Sequence, residues 1–199
     1  LLGTTAKKAM KASLAGLEFA SGIPGRVGGA VAMNAGAYGG EMKDVLKEIA
    51  VLTEDGRFLT IPREELDLGY RTSIVSKKGY IVLDAVLSLK KGNREEIEAK
   101  MEELKSRRVE KQPLEYPSAG STFNRPEGYF AGKLIMDAGL RGFSVGGAMV
   151  SEKHCGFVIN RGDATAKDVR DLMDAVSRKV REQFGVELEP EVKMLGEFE

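Results

Sequence analysis

Apolar positions along the chain follow two periods, and the stretches that follow neither are the informative ones. A short helix is predicted over residues 4–14, opened by Thr4 and Thr5 as caps and carrying Met10 and Leu14 on one side. Alternation in Glu48 to Thr53 and Arg57 to Ile61 predicts a hairpin turning through Glu54-Asp55-Gly56, and Tyr80 to Leu89 alternates as a longer strand. Asn93 to Lys111 is strongly charged, with Ile97, Met101 and Leu104 spaced to face a core, and Pro113 limits it. Beyond it come a Gly-rich loop at Ser118 to Pro126, a helix near Phe130 to Ala138, and strands near Ala148 to Val150 and Phe157 to Asn160. The last helix opens at Thr165-Ala166-Lys167-Asp168, close to a capping box. It places Val169, Leu172, Met173, Val176, Val180 and Phe184 on one face before Gly185 ends it. The predicted fold is α+β, with a first part over 1–92, a linker helix over 93–112 and a second part over 113–199.

Composition narrows the function classes. Lys and Arg number 30 against 30 Asp and Glu, so nothing electrostatic favours nucleic acid or an anionic membrane as partner. No apolar run approaches the roughly 20 residues that cross a bilayer, so no membrane insertion is expected. The single cysteine, Cys155, excludes an internal disulfide and a Cys-rich zinc site, which fits a reducing compartment. His154 is the only histidine; adjacent to Cys155, it makes no metal site, and both are expected to be structural or peripheral. No leader stretch argues for export. The first residue is Leu1 rather than Met, and a portion ahead of it is expected.

Glycine is the outlier, at 24 of 199 residues, about 12% where roughly 7% is usual. Seven of them fall between Gly22 and Gly40, a span with one charged residue, Arg26. Such a run lets backbone amides approach a phosphate or a planar ring because no Cβ stands in the way. Tight turns around small-residue packing would read the same way. The spacing is not the dinucleotide fingerprint, and no strand leads into it. Gly128 to Leu134 has neither the spacing nor the Ser/Thr of a P-loop.

Several motifs in order carry a resemblance. Gly16-Leu17-Glu18-Phe19-Ala20-Ser21-Gly22-Ile23-Pro24-Gly25, Val27-Gly28-Gly29-Ala30 and Met33-Asn34-Ala35-Gly36-Ala37-Tyr38-Gly39 are followed by Gly69-Tyr70-Arg71-Thr72-Ser73. Ala119-Gly120-Ser121-Thr122-Phe123 and Leu188-Glu189-Pro190-Glu191-Val192 with Gly196 complete the series. Together they closely resemble the UDP-N-acetylenolpyruvoylglucosamine reductase (MurB) family across essentially the whole chain. The resemblance implies the C-terminal part of a PCMH-like FAD-binding domain followed by a smaller α+β substrate-binding domain. It implies cofactor contacts from Gly22, Ile23, Pro24, Gly25, Val27, Gly28, Asn34, Ala35, Gly36, Ala37, Tyr38 and Gly39. The family's activity is a cytoplasmic step of peptidoglycan synthesis, on which wall growth, cell shape and division depend. NADPH delivers hydride to bound FAD, and the hydride then reaches carbon three of UDP-N-acetylglucosamine enolpyruvate.

Adding hydride there pushes negative charge towards the substrate carboxylate, so the site needs a cation where charge grows and an acid to protonate carbon two. The resemblance implies that Arg71 meets the carboxylate, that Ser121 gives the proton to carbon two, and that Glu191 polarises the enol acid or holds it through a shared proton. By residue type alone Ser121 would be a turn serine, Arg71 a solvated surface group and Glu191 an exposed strand carboxylate. Glu189 is a weaker alternative to Glu191. Arg107 and Lys111, one helical turn apart, resemble basic residues that meet the UDP diphosphate, although such pairs also occur on wet helix faces. After Phe123 this chain has Asn124-Arg125-Pro126 where Lys-Asn-Pro is common in the family. Arg125 could serve a phosphate. No insertion between Tyr80 and Gln112 is large enough for an extra substrate-covering loop, which matches the shorter, type II form. The alternatives are a non-catalytic flavin or nucleotide-sugar binding module on the same scaffold, or a different flavoprotein oxidoreductase.

Overall fold

A computed structural model describes residues 1–196, so the last three positions of the 113–199 segment lie outside the described residues. The chain forms two compact units, Leu1–Arg108 and Val109–Glu199.

The first unit begins with α1 (Leu2–Lys11), which buries Leu2, Ala6, Ala9 and Met10 at steps of three and four. The helix starts earlier than predicted, because Leu2 extends the apolar stripe by one turn. Neither Thr4 nor Thr5 caps it; the Thr5 hydroxyl instead donates back to the Leu1 carbonyl at 3.2 Å. Ser13 takes a positive φ of 56° and ends the helical path, so Leu14 lies in β1 (Leu14–Ala15) and not on the helix face. The Gly-rich segment then folds into α2 (Val27–Ala32) and a tight hairpin of β2 (Gly36–Ala37) and β3 (Gly40–Glu41). The predicted β-hairpin is present as β4 (Leu46–Leu52) and β5 (Phe58–Pro62), with Gly56 at φ 80° closing the turn. After α3 (Ile74–Lys77), β6 (Ile81–Leu87) pairs with the other side of β4, giving a three-stranded antiparallel sheet in the order β5-β4-β6. A two-residue strand β7 (Lys90–Lys91) pairs with β1, a contact that no alternation in so short a segment could announce. The core gathers Leu2, Leu17, Val31, Met42, Ile49 and Leu66 under this sheet and its loops.

Helix α4 (Arg94–Lys111) follows, with Ile97, Met101 and Leu104 buried as their spacing predicts. Asn93 caps it, its Oδ1 accepting from the amides of Glu95 and Glu96 at 2.8 and 3.3 Å.

The second unit holds β8 (Ser118–Ser121), α5 (Ala131–Asp137), β9 (Ser144–Val145), β10 (Ala148–Val150), β11 (Phe157–Asn160) and α6 (Ala166–Phe184). Its antiparallel sheet runs β8-β11-β10-β9. The predicted loop at Ser118 to Pro126 is therefore a strand for its first four residues. Gly120 disguised it: at φ 92° it accompanies a register shift between Phe157 and Ile159. Helix α6 opens with a reciprocal Thr165/Asp168 capping box and ends at Gly185 in the left-handed region. Leu172, Met173, Val176 and Val180 are buried and Val169 packs beside them. Phe184, predicted on the same face, is exposed because the buried stripe stops one turn earlier, at Val180.

Candidate functional site

In the first unit, the Gly-rich segment is a backbone-lined surface. A Cβ placed on Gly25, Gly29 or Gly39 would meet nothing within 4 Å, and Gly25 and Gly39 have φ of 128° and 85°. Side chains at these three positions would project into open space, and at Gly25 and Gly39 from a backbone that glycine adopts most easily, which fits a cradle for a large flat or phosphorylated group. Ile23 and Val27 pack partly on the core, Pro24 is exposed, and Gly28 lies over Val82. Gly36 is glycine for a different reason: a Cβ would collide with Glu41 and the Gly40 carbonyl at 2.8 Å. Gly22 lies beneath Arg108, whose guanidinium also stands 5.6 Å from the Tyr38 ring centre. Sequence reading selected Arg107 and Lys111 on α4 and missed Arg108, the helix residue that meets two predicted cofactor positions.

The Arg71 segment is stitched to this surface. Gly69 and Thr72 form an isolated antiparallel bridge, so Tyr70 and Arg71 occupy the tip of a tight turn. Arg71 has φ 54°, an uncommon conformation for a long side chain. Three bonds tie the turn to the Gly-rich segment. The Asn34 amide donates to the Gly69 carbonyl at 3.0 Å, the Ser73 hydroxyl donates to the Ala32 carbonyl at 2.7 Å, and Arg71 Nη2 lies 3.5 Å from the Gly36 carbonyl. Ser73 also accepts from the Val75 amide and caps α3. Asn34 and Ala35 are buried and their amides already donate to the Val31 and Ala30 carbonyls; Gly36 and Ala37 are half-buried and Tyr38 is exposed.

In the second unit, Ser121 ends β8 opposite Phe157 and is exposed. The segment around Glu191 is brought beside it by a short ladder. The Glu191 amide donates to the Thr122 carbonyl at 2.9 Å, the Asn124 amide donates to the Glu189 carbonyl at 2.8 Å, and Phe123 bridges Pro190. Thr122 is buried and also accepts from the Val158 amide through Oγ1 at 2.9 Å. Ser121 and Glu191 thus lie on neighbouring stretches of one unit, while Arg71 belongs to the other.

Of the basic residues expected to meet a diphosphate, Arg107 is exposed and ion-paired with Glu103 one turn earlier, and Lys111 is exposed near the end of α4. Arg125 stacks its guanidinium 4.0 Å from the Phe130 ring centre and donates from Nε to the Tyr129 carbonyl at 3.3 Å. It lines an open groove of about 540 Å³ with Asn124, Tyr129, Leu188 and Glu189. Asn124 Oδ1 is buried there with no hydrogen-bond partner, a feature no sequence signal marks. Burial holds the His154 imidazole below its ordinary range, and the Lys111 charge adds a smaller push. The Gly156 amide donates to Nδ1 at 3.1 Å, which places the proton of the neutral ring on Nε2. Burial raises the pKa of the Cys155 thiol. Among the described residues no group of three or more His, Cys, Asp or Glu could hold a metal ion, and no helix is long and apolar enough to cross a membrane.

Residues 4–62 match a family model described as an FAD binding domain, and residues 112–195 match the UDP-N-acetylenolpyruvoylglucosamine reductase C-terminal domain. A UDP-N-acetylenolpyruvoylglucosamine reductase of Lachnoclostridium phytofermentans is 67% identical over 196 residues, which is 98% of this chain and 63% of that protein. The corresponding protein of Agathobacter rectalis is 68% identical over 198 residues, covering 100% of this chain and 63% of that one. The chain therefore spans a little under two thirds of the curated relatives it matches. The crystal structure of UDP-N-acetylenolpyruvylglucosamine reductase (MurB) from Thermus caldophilus superposes with a TM-score of 0.84 at 44% identity, over 96% of this chain and 69% of that one. Two domain types in order, shared sequence along the whole chain and a shared fold lead to one conclusion: the chain belongs to the UDP-N-acetylenolpyruvoylglucosamine reductase family.

Proposed function

We propose that this chain provides flavin-binding and substrate-binding parts of an NADPH-dependent reductase that converts UDP-N-acetylglucosamine enolpyruvate to UDP-N-acetylmuramate in peptidoglycan synthesis. The observation that carries the reading is the turn at Gly69 to Thr72, which holds an arginine at positive φ and is bonded directly to the open glycine surface. A surface arginine with no task would not need that conformation. FAD, when bound, relays hydride from NADPH to carbon three of the enolpyruvyl group. Gly25, Val27, Gly28 and Gly39, with Tyr38 at the edge, would hold it. The Arg71 guanidinium offers a planar fork to the substrate carboxylate, where negative charge grows as the double bond takes up hydride. The Ser121 hydroxyl gives its proton to carbon two, completing addition across the double bond. Glu191 holds the enol acid through a shared proton. Arg107, Lys111 and Arg125 supply positive charge for the diphosphate.

The test is Ser121→Ala in the natural-length, flavin-loaded protein. NADPH should still bleach the flavin, while reoxidation by the enolpyruvyl sugar falls by about 10²- to 10⁴-fold, the usual share of a positioned acid. Loss of neither step, or equal loss of both, would overturn the role given to Ser121, and failure of the unsubstituted protein to reduce the enolpyruvyl sugar would favour a binding module.

A further inference from the structure

We propose that Asn34 is a positioning residue, whose side-chain amide, anchored on Glu41, fixes the turn that presents Arg71. The inference rests on the role just given to Arg71.

Asn34 lies in the glycine segment, yet its side chain is turned into the protein and is fully buried. Every part of its amide is used there. Nδ2 donates to Glu41 Oε2 at 2.8 Å and to the Gly69 carbonyl at 3.0 Å, and Oδ1 accepts from the Lys43 amide at 2.9 Å. Asn34 itself has φ 44°, which asparagine tolerates better than most residues and which aims the amide across the β2-β3 hairpin towards Gly69.

The turn needs such support. The Gly69 amide closes it onto the Thr72 carbonyl at 3.1 Å, but the return bond from the Thr72 amide to the Gly69 carbonyl is long at 3.4 Å, so Asn34 at 3.0 Å is the nearer partner of that carbonyl. Arg71 adopts φ 54° without the side chain that usually accommodates it, and a strained residue persists only where its surroundings over-determine it. Glu41 makes the anchor charge-assisted, and it is itself fixed, by an ion pair to Lys43 and by the bond from its own amide to Asp44 Oδ2 at 2.9 Å. Glu41, Asn34 and Gly69 therefore form one chain of contacts that ends two residues from the guanidinium. Misplacing a catalytic group by an ångström costs about 100-fold in rate.

Asn34→Gly tests the side chain, because glycine keeps the positive φ while the amide and its Cβ are removed. In the natural-length, flavin-loaded protein, reduction of the enolpyruvyl sugar should fall about 100-fold at saturating substrate, at least about ten-fold more than any fall in flavin reduction by NADPH. Combined with Arg71→Lys, the loss should be far less than the product of the two single losses. The backbone amide and Nε–H signals of Arg71 in nuclear magnetic resonance spectra should also shift, with no substrate present. If Arg71→Lys alone leaves substrate reduction intact, the assigned role of Arg71 fails and the proposal falls with it. If Arg71→Lys is impaired but Asn34→Gly multiplies fully with it, or slows both half-reactions equally, the role of Arg71 stands and the positioning proposal is overturned. Should Asn34→Gly not fold, Glu41→Gln, which keeps an acceptor for Asn34, should retain more substrate reduction than Glu41→Ala; equal losses would refute the anchor.

Discussion

The two units hold their proposed reactive groups by different means. Around Arg71 the backbone bridge between Gly69 and Thr72 is tied down by bonds from side chains to backbone: Asn34 to Gly69, Ser73 to Ala32, and Arg71 itself towards Gly36. Four residues there other than glycine, Asn34, Tyr38, Asp67 and Arg71, sit at positive φ. Around Ser121 and Glu191 the main restraints are backbone bonds: Thr122 to Gly156, Glu191 to Thr122, and Asn124 to Glu189. A loop cluster built by side chains is specified residue by residue, whereas a ladder built by backbone tolerates many sequences so long as its pattern persists. The first arrangement can present a group in a conformation no regular element offers. The second places a hydroxyl and a carboxylate on adjacent stretches with little dependence on their neighbours' identities.

Single substitutions can sharpen or break that contrast. The largest effect is expected for Ser73→Ala, which removes the donor to Ala32 and the α3 cap together and should cost about 2–3 kcal/mol in chemical denaturation. Thr122→Val keeps the shape and the backbone bonds but leaves the Val158 amide unpaired, and should cost about 1–2 kcal/mol. A greater loss for Thr122→Val than for Ser73→Ala would show the second unit to be as dependent on side chains as the first. The smallest effect belongs to His154. Burial disfavours its protonated form in the fold, so as pH falls the unfolded chain takes up the proton first. Stability should decline below about pH 6.5 and level off once the folded imidazole is also charged. His154→Gln should flatten the decline that begins near pH 6.5, and an unchanged slope would remove His154 from the account.

Much of the scaffold was legible in the chain. The β4-β5 hairpin announced itself through alternation on either side of Gly56, and α4 and α6 through Ile97, Met101 and Leu104 and through the Thr165/Asp168 box. Strand β8 was not legible, because Ser118-Ala119-Gly120-Ser121 has no apolar alternation; its pairing with β11 is a tertiary decision. The β1-β7 pair was too short to carry any period. At the site, motif order marked Arg71, Ser121 and Glu191, but not the partners that restrain them. The contact of Asn34 with Glu41 spans seven residues across a hairpin, and its only hint is a carboxylate directly after an almost uncharged stretch.

The amino-acid sequence determined the family and the two kinds of domain, because these depend on residue identity and on local periods of 2 and 3.6. The tertiary structure decided which way Asn34 faces, that Arg108 covers Gly22 and Tyr38, and that Thr122 links Glu191 to the strand of Ser121. Each of these is a contact between residues distant along the chain or a φ that only the surrounding fold can enforce, and neither leaves a period in the sequence.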